Sequence, residues 1–165
     1  MTLVVVSGLP GAGKTTLARP LAAELDVPLL VKDTVKEALF DALGTGDRAW
    51  SQRLGGASME VLFALAADAP SAVLESFWRR PFAVDRLRAL ERPLLEVHCA
   101  CPPELSQARF RDRVRHPGHG AVGEDEVAGW AAEAGPLALG GPLLEVDTTT
   151  AVDVHGVAAW VRTRW

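Results

Sequence analysis

Apolar residues gather in five short runs, Leu3–Val6, Pro28–Val31, Ala72–Glu75, Leu94–Cys99 and Leu143–Val146. Runs that stay apolar rather than alternating predict strands covered on both faces, as in a parallel sheet. Between them the apolar positions recur at helical spacing. In Lys14–Leu25, Leu17, Leu21 and Leu25 repeat every four residues and share one face. Pro20 lies inside that helix and removes the hydrogen bond to Thr16, at about 3 kcal/mol unless the helix bends, so a kink is expected there. Further helices are predicted over Val35–Leu43, Ala49–Ala67, Phe82–Ala89, Pro103–Arg115, Glu124–Ala134 and Val152–Arg164. Glu124, Asp125 and Glu126 suit the positive N-terminal end of theirs. The glycine-rich stretch His116–Gly123 reads as a mobile surface loop. Strands alternating with helices imply right-handed crossovers and one three-layer α/β domain over residues 1–165.

Composition narrows this picture in three ways. A chain of 165 residues that is 48% hydrophobic suits a single sizeable core. A net charge of −4 argues against a protein built to grip nucleic acid, which would show a basic face. Cys99 and Cys101 are too close for an ordinary disulfide framework and read as buried thiols in a reducing compartment. No run of about 18 apolar residues occurs, and no charged leader precedes the first strand. A soluble, cytoplasmic protein with no membrane partner is expected; the oligomeric state is left open.

The sharpest chemical signal is Gly8-Leu9-Pro10-Gly11-Ala12-Gly13-Lys14-Thr15, which matches G-x-x-x-x-G-K-[ST] without a gap. It stands between the first predicted strand and the first predicted helix, where a phosphate-binding loop belongs. Gly8, Gly11 and Gly13 allow backbone amides to curl around phosphate oxygens, in conformations that a Cβ resists. The helix N-terminus, with Thr15 and Thr16, adds unpaired N–H groups and partial positive charge. Lys14 then reaches the β- and γ-phosphates of ATP, and the Thr15 hydroxyl is a Mg²⁺ ligand.

The other candidates stand at the C-terminal ends of strands, where ligands collect in parallel sheets. Lys32-Asp33-Thr34 closes the second strand, and Asp33 either takes a proton from an acceptor hydroxyl or caps the following helix. Val73-Leu74-Glu75 is an apolar run ending in an acid, which makes Glu75 the second candidate for Mg²⁺. Phe77, Trp78, Arg79 and Arg80 either form part of an acceptor pocket or simply pack. Behind Cys101-Pro102-Pro103 come Arg109, Arg111, Arg113 and Arg115. At about 100° per residue Arg109 and Arg113 share one helix face, from which they neutralise charge developing on a transferred phosphoryl group. His116 and His119 lack a third metal ligand and read as plain surface loop, with a gating or acceptor contact as the alternative. Trp50 and Trp78 are candidate pocket walls, with core packing as the alternative.

With these motifs in place the chain resembles the small P-loop kinases, and among them the AAA_33-type domains of the zeta-toxin and chloramphenicol-phosphotransferase group. The resemblance implies a five-stranded parallel sheet of order 2-3-1-4-5 and a helical lid over about residues 103–123. It also implies ATP as donor, an attacked hydroxyl, Asp33 as general base, and Arg109 and Arg113 on the lid. Leu144–Thr149 resembles the last strand and the loop beside the adenine. Glu75 departs from the aspartate that many relatives carry. The expected function is therefore ATP-dependent phosphorylation of a small hydroxylated molecule such as an antibiotic, sugar or related metabolite. The alternatives are a nucleotide or polynucleotide-end kinase, and a P-loop regulatory module with slow ATPase activity.

Overall fold

The computed structural model describes residues 1–80, 82–120, 122, 123, 127 and 129–165, with only the backbone of Ala131 and Ala132. Five strands form the middle layer: β1 (Leu3–Ser7), β2 (Leu29–Val31), β3 (Ala72–Glu75), β4 (Leu94–Ala100) and β5 (Leu143–Asp147). They pair in the order β2-β3-β1-β4-β5, every pair parallel. Central β1 is fully covered, as its unbroken apolar run predicts. Its Val4 and Val6 face a cluster with Leu17 and Leu21 of α1 (Lys14–Leu25) and with Val157 and Val161 of the C-terminal helix. Leu3 and Val5 face the opposite layer, against Leu62 and Phe63 of α3 (Arg48–Asp68) and Val84 and Leu87 of α4 (Phe82–Arg88).

Edge strand β5 departs from the sequence expectation. It alternates between exposed and half-buried positions, with Leu143 left 41% exposed. A run of apolar residues shows what a strand can bury, whereas its place in the sheet decides what is covered.

The helices shift at their ends. The first, α1, runs through Pro20 without a break; Pro20 and Thr16 both lie on the exposed side, where water can satisfy the carbonyl that proline leaves without a donor. Helix α2 (Lys32–Leu43) starts three residues before the expected Val35, directly from β2. Helix α5 (Pro103–Asp112) ends three residues before the expected Arg115. The last helix, α6 (Val154–Arg162), is capped by Asp153, which accepts from the Gly156 amide at 3.0 Å. Within the expected helix Glu124–Ala134, residues Glu124, Asp125 and Glu126 lie outside the described residues; Trp130–Glu133 forms a 3₁₀ turn.

The apolar run of β4 hides two polar groups. Buried Glu96 accepts from the Ser7 hydroxyl at 2.6 Å and from the Leu137 amide at 2.7 Å, and the Ser7 hydroxyl also meets Nδ1 of His98 at 2.9 Å. A buried carboxylate must be hydrogen-bonded, and these bonds tie β1, β4 and the segment after Trp130 together. Because all strands are parallel, their C-terminal ends open on one edge of the sheet, and the loops there enclose the main cleft. Among the described residues, no helix is long and apolar enough to cross a membrane.

Candidate active site

The loop from Gly8 to Gly13 turns out of β1 with φ of +134° at Gly8, +86° at Gly11 and +82° at Gly13. Only glycine adopts such angles without strain, and two of these positions are also crowded. A Cβ at Gly8 would stand 2.8 Å from the Cys99 carbonyl oxygen, and one at Gly11 would overlap the Ser106 carbonyl of α5. The loop therefore seats between β4 and α5 with no space for side chains at those points.

Lys14 opens α1 and folds its ammonium back onto the loop, donating to the Leu9 carbonyl at 2.8 Å. It is only 7% exposed. Burial lowers its pKa below the usual lysine value, against the attraction of Glu75, Cys99 and Asp33 and with the repulsion of Arg113. The neighbouring Thr15 donates to Glu75 Oε2 at 2.8 Å, so the two candidate metal ligands meet across the β1–β3 pair. Glu75 is itself 5% exposed. Two hard oxygen donors next to a phosphate loop suit Mg²⁺. Thr16 stands exposed on the cleft rim. Cys99, buried beneath Gly8, has its thiol pushed up to about 12 by burial and is inert. Cys101 is half-buried, 3.8 Å from an Arg109 nitrogen, rather than enclosed as expected.

Asp33 sits in the first turn of α2, and the residue at the cap position is Val31. The capping alternative thus fails: the helix starts too early for Asp33 to be its cap. Its carboxylate, 47% exposed on the cleft, meets Lys32 Nζ at 3.0 Å. Burial raises its pKa, but Lys32, His119 and Lys14 together outweigh that and hold it below the usual aspartate value. It is therefore ionised and able to accept a proton at neutral pH.

The two arginines reach the cleft by different routes. Arg109 leaves α5 to donate to the carbonyls of Thr148 at 2.9 Å and Thr149 at 3.3 Å, tying the helix to the loop after β5. Arg113 follows the end of α5 in extended backbone, so the shared helix face does not exist, yet its side chain lines the cleft and acts on Lys14. Arg115 covers the Phe110 ring at 4.7 Å.

Several residues of the cleft were not legible beforehand. His119 is not surface: its Nε2 lies 2.9 Å from Glu37 and its side chain is 7% exposed. His116 stacks on Phe40 at 5.5 Å and meets Asp41 at 3.1 Å. Lys36 is buried and donates to Ser51 at 2.9 Å. Trp78 belongs to the core, bonded to the Val6 carbonyl at 2.9 Å, and Trp50 bonds the Gly44 carbonyl outside the cleft. Trp130 both packs and lines the cleft, with Phe77 and Phe110 against it. Gly55 and Gly56 of α3 line the same cleft.

The sequence profile of the AAA_33 family, an AAA domain, matches residues 3–137. The chain belongs to the AAA_33 family. A solved structure assigned provisionally as a kinase, from Chloroflexus aurantiacus, is 34% identical to this AAA_33 domain with a TM-score of 0.89, covering 99% of this chain and 98% of that one. A gluconokinase from Sinorhizobium meliloti shares the fold at 13% identity and a TM-score of 0.66, covering 99% and 97%. A shikimate kinase from Bacteroides thetaiotaomicron does so at 18% and 0.60, with the same coverage. In sequence, 44 residues, 27% of this chain, are 48% identical to a cytidylate kinase from Pyrobaculum neutrophilum and span only 24% of that protein. The AAA_33 domain thus has the fold of the P-loop kinases, with the strand order that its resemblance implied.

Proposed function

We propose that this AAA_33 domain is a cytoplasmic ATP-dependent kinase that moves the γ-phosphoryl group of ATP to a hydroxyl of a small molecule. The observation that carries this reading is the meeting of Lys14, the Thr15–Glu75 pair and the exposed carboxylate of Asp33 on one cleft. A phosphate loop alone fits any nucleotide-binding protein; an ionised acid across the cleft from it supplies the proton acceptor that transfer to an alcohol needs.

The loop amides of residues 8–16 and Lys14 hold the donor phosphates. Thr15 and Glu75 would hold Mg²⁺, which supplies positive charge to the phosphates when bound. Asp33 takes the proton of the attacking hydroxyl as the new O–P bond forms and the bond from phosphorus to the β,γ-bridging oxygen breaks. A carboxylate of lowered pKa is a weak base, which suffices because such transfers proceed through loose transition states. Arg113, near Lys14, is placed to balance charge on the moving group, while Arg109 fastens residues 103–123, read as a lid, to the loop after β5. The kinase neighbours of this fold include enzymes named for gluconate and shikimate, which favours a small acceptor.

The test is incubation with ATP, Mg²⁺ and pooled hydroxylated compounds, followed by mass spectrometry for a product gaining one phosphoryl group. The Asp33→Asn variant should lose about 10²–10⁴-fold in kcat while retaining ATP affinity. Equal loss of both would remove Asp33 as base.

A further inference from the structure

Helix α2 carries three acids at successive turns, Asp33, Glu37 and Asp41, which therefore lie on one face. Like charges at that spacing destabilise a helix slightly, so the stripe brings α2 no local gain. Lys32, the neighbour of Asp33 in the chain, meets the first acid. The other two are met from far along the chain, by Nε2 of His119 at 2.9 Å from Glu37 and Nε2 of His116 at 3.1 Å from Asp41.

The two histidines are spaced to do this. The His119 amide donates to the His116 carbonyl at 3.0 Å, a 3₁₀ bond that sets residues three apart above one another. The His116 ring is also fixed by its own backbone. Its Nδ1 accepts from the Gly118 amide at 3.1 Å, which leaves the hydrogen on Nε2, facing Asp41. Phe40 of α2 stacks on His116 at 5.5 Å and meets His119 edge-on at 5.9 Å.

The turn crosses the stripe at a defined level. Asp33 and Glu37 line the cleft together with Pro117, Gly118 and His119, whereas Asp41 stands outside it. Of the two acids inside the cleft, the second is bonded to His119. The first bonds neither histidine among the described residues and keeps a side chain that is 47% exposed. Glu37 is a carboxylate one turn from Asp33, so without His119 it would be a second place for an acceptor hydroxyl to bind.

We propose that His119 is a positioning residue for Asp33: seated on Glu37, it closes the cleft at the second acid, so that an acceptor hydroxyl meets the first. This rests on the proposed function for the reaction, whereas the cover over Glu37 stands on geometry alone.

Two experiments separate the cover from the reaction. In the first, protein saturated with Mg²⁺ and a non-hydrolysable ATP analogue is treated at neutral pH with a carbodiimide and glycine ethyl ester, and labelled peptides are quantified by mass spectrometry. His119→Ala should raise the labelling of Glu37. His119→Gln, whose amide N–H can still donate to Glu37, should raise it less. Equal labelling of Glu37 in wild type and His119→Ala overturns the proposal, whether or not an acceptor has been found. In the second, kcat and KM are measured with the best acceptor of the pool for His119→Ala, Asp33→Asn and the double variant. His119→Ala should lower kcat by about 10–10²-fold with the KM for ATP unchanged, and His119→Gln should recover most of that loss. Because His119 acts through Asp33, the double variant should be no slower than Asp33→Asn alone. Losses that multiply in the double variant overturn the proposal, reduce His119 to a structural role and leave the kinase reading intact. Transfer to no compound at all overturns the kinase reading and the positioning role with it, while the labelling still decides the cover.

Discussion

Lys14 pays for its position in stability. Its pKa is lowered mainly by burial, so between the folded value and the ordinary 10.5 the unfolded chain binds the extra proton and stability rises with pH. At neutral pH the buried charge therefore works against folding. Lys14→Met should abolish ATP binding in calorimetry while leaving the unfolding midpoint unchanged or higher. A lower midpoint would mean that the attraction of Glu75 exceeds the penalty of burial. Asp33 carries the opposite sign. Its depressed pKa gives a contribution that is present above the ordinary 3.8 and is lost as pH falls through the folded value. The acid limb attributable to Asp33 should thus lie below pH 3.8, and a kcat/KM profile of the kinase should show no loss from this carboxylate between about pH 5 and pH 7. The functional types were legible at this scale from spacing, as Gly8–Thr15 shows. Whether Asp33 caps α2 was not, because that turned on where α2 begins.

At the scale of elements, the turn Pro117–His119 is held on α2 by four contacts: His119 with Glu37, His116 with Asp41, and each of the two rings against Phe40. Gly118 fits there because a Cβ would overlap the Phe40 ring. Gly118→Ala should therefore loosen the turn, seen as faster amide exchange over residues 116–120 with little change in global stability. The same latch responds to pH. Burial lowers the His119 pKa below 6.5, with Arg115 and Lys36 assisting and Glu37 and Asp33 opposing. As pH falls through 6.5 the unfolded or unlatched state takes the proton first, so the latch is intact above that value and weakens below it. Exchange at residues 116–120 should quicken between about pH 7.5 and about pH 5.5 in the wild type, and the change should be smaller in His119→Gln. No sequence pattern pointed to this latch. Its partners are separated by 75 and 82 positions and meet only because the chain after α5 returns across α2.

Across the whole molecule, the buried apolar residues form two clusters either side of β1, and the candidate site lies in the loops at one edge. Leu21 on α1 is fully buried in one cluster, and Leu21→Ala should reduce the unfolding free energy by about 2–5 kcal/mol in urea titrations. Val114, 96% exposed, should tolerate alanine within about 0.5 kcal/mol.

The sequence by itself determined the five strands, most of the helices and the phosphate loop. Each of these depends on local periodicity, or on glycines and a lysine at fixed spacing. Tertiary structure decided what depends on distant partners: the exposure of β5 at the sheet edge, the early end of α5 that separates Arg113 from Arg109, the core position of Trp78, and the pairing of His119 with Glu37. It also decided the concentration of lysines and arginines around one cleft in an acidic chain. Net charge is a sum over the sequence, whereas a binding site depends on where the fold brings the charges together.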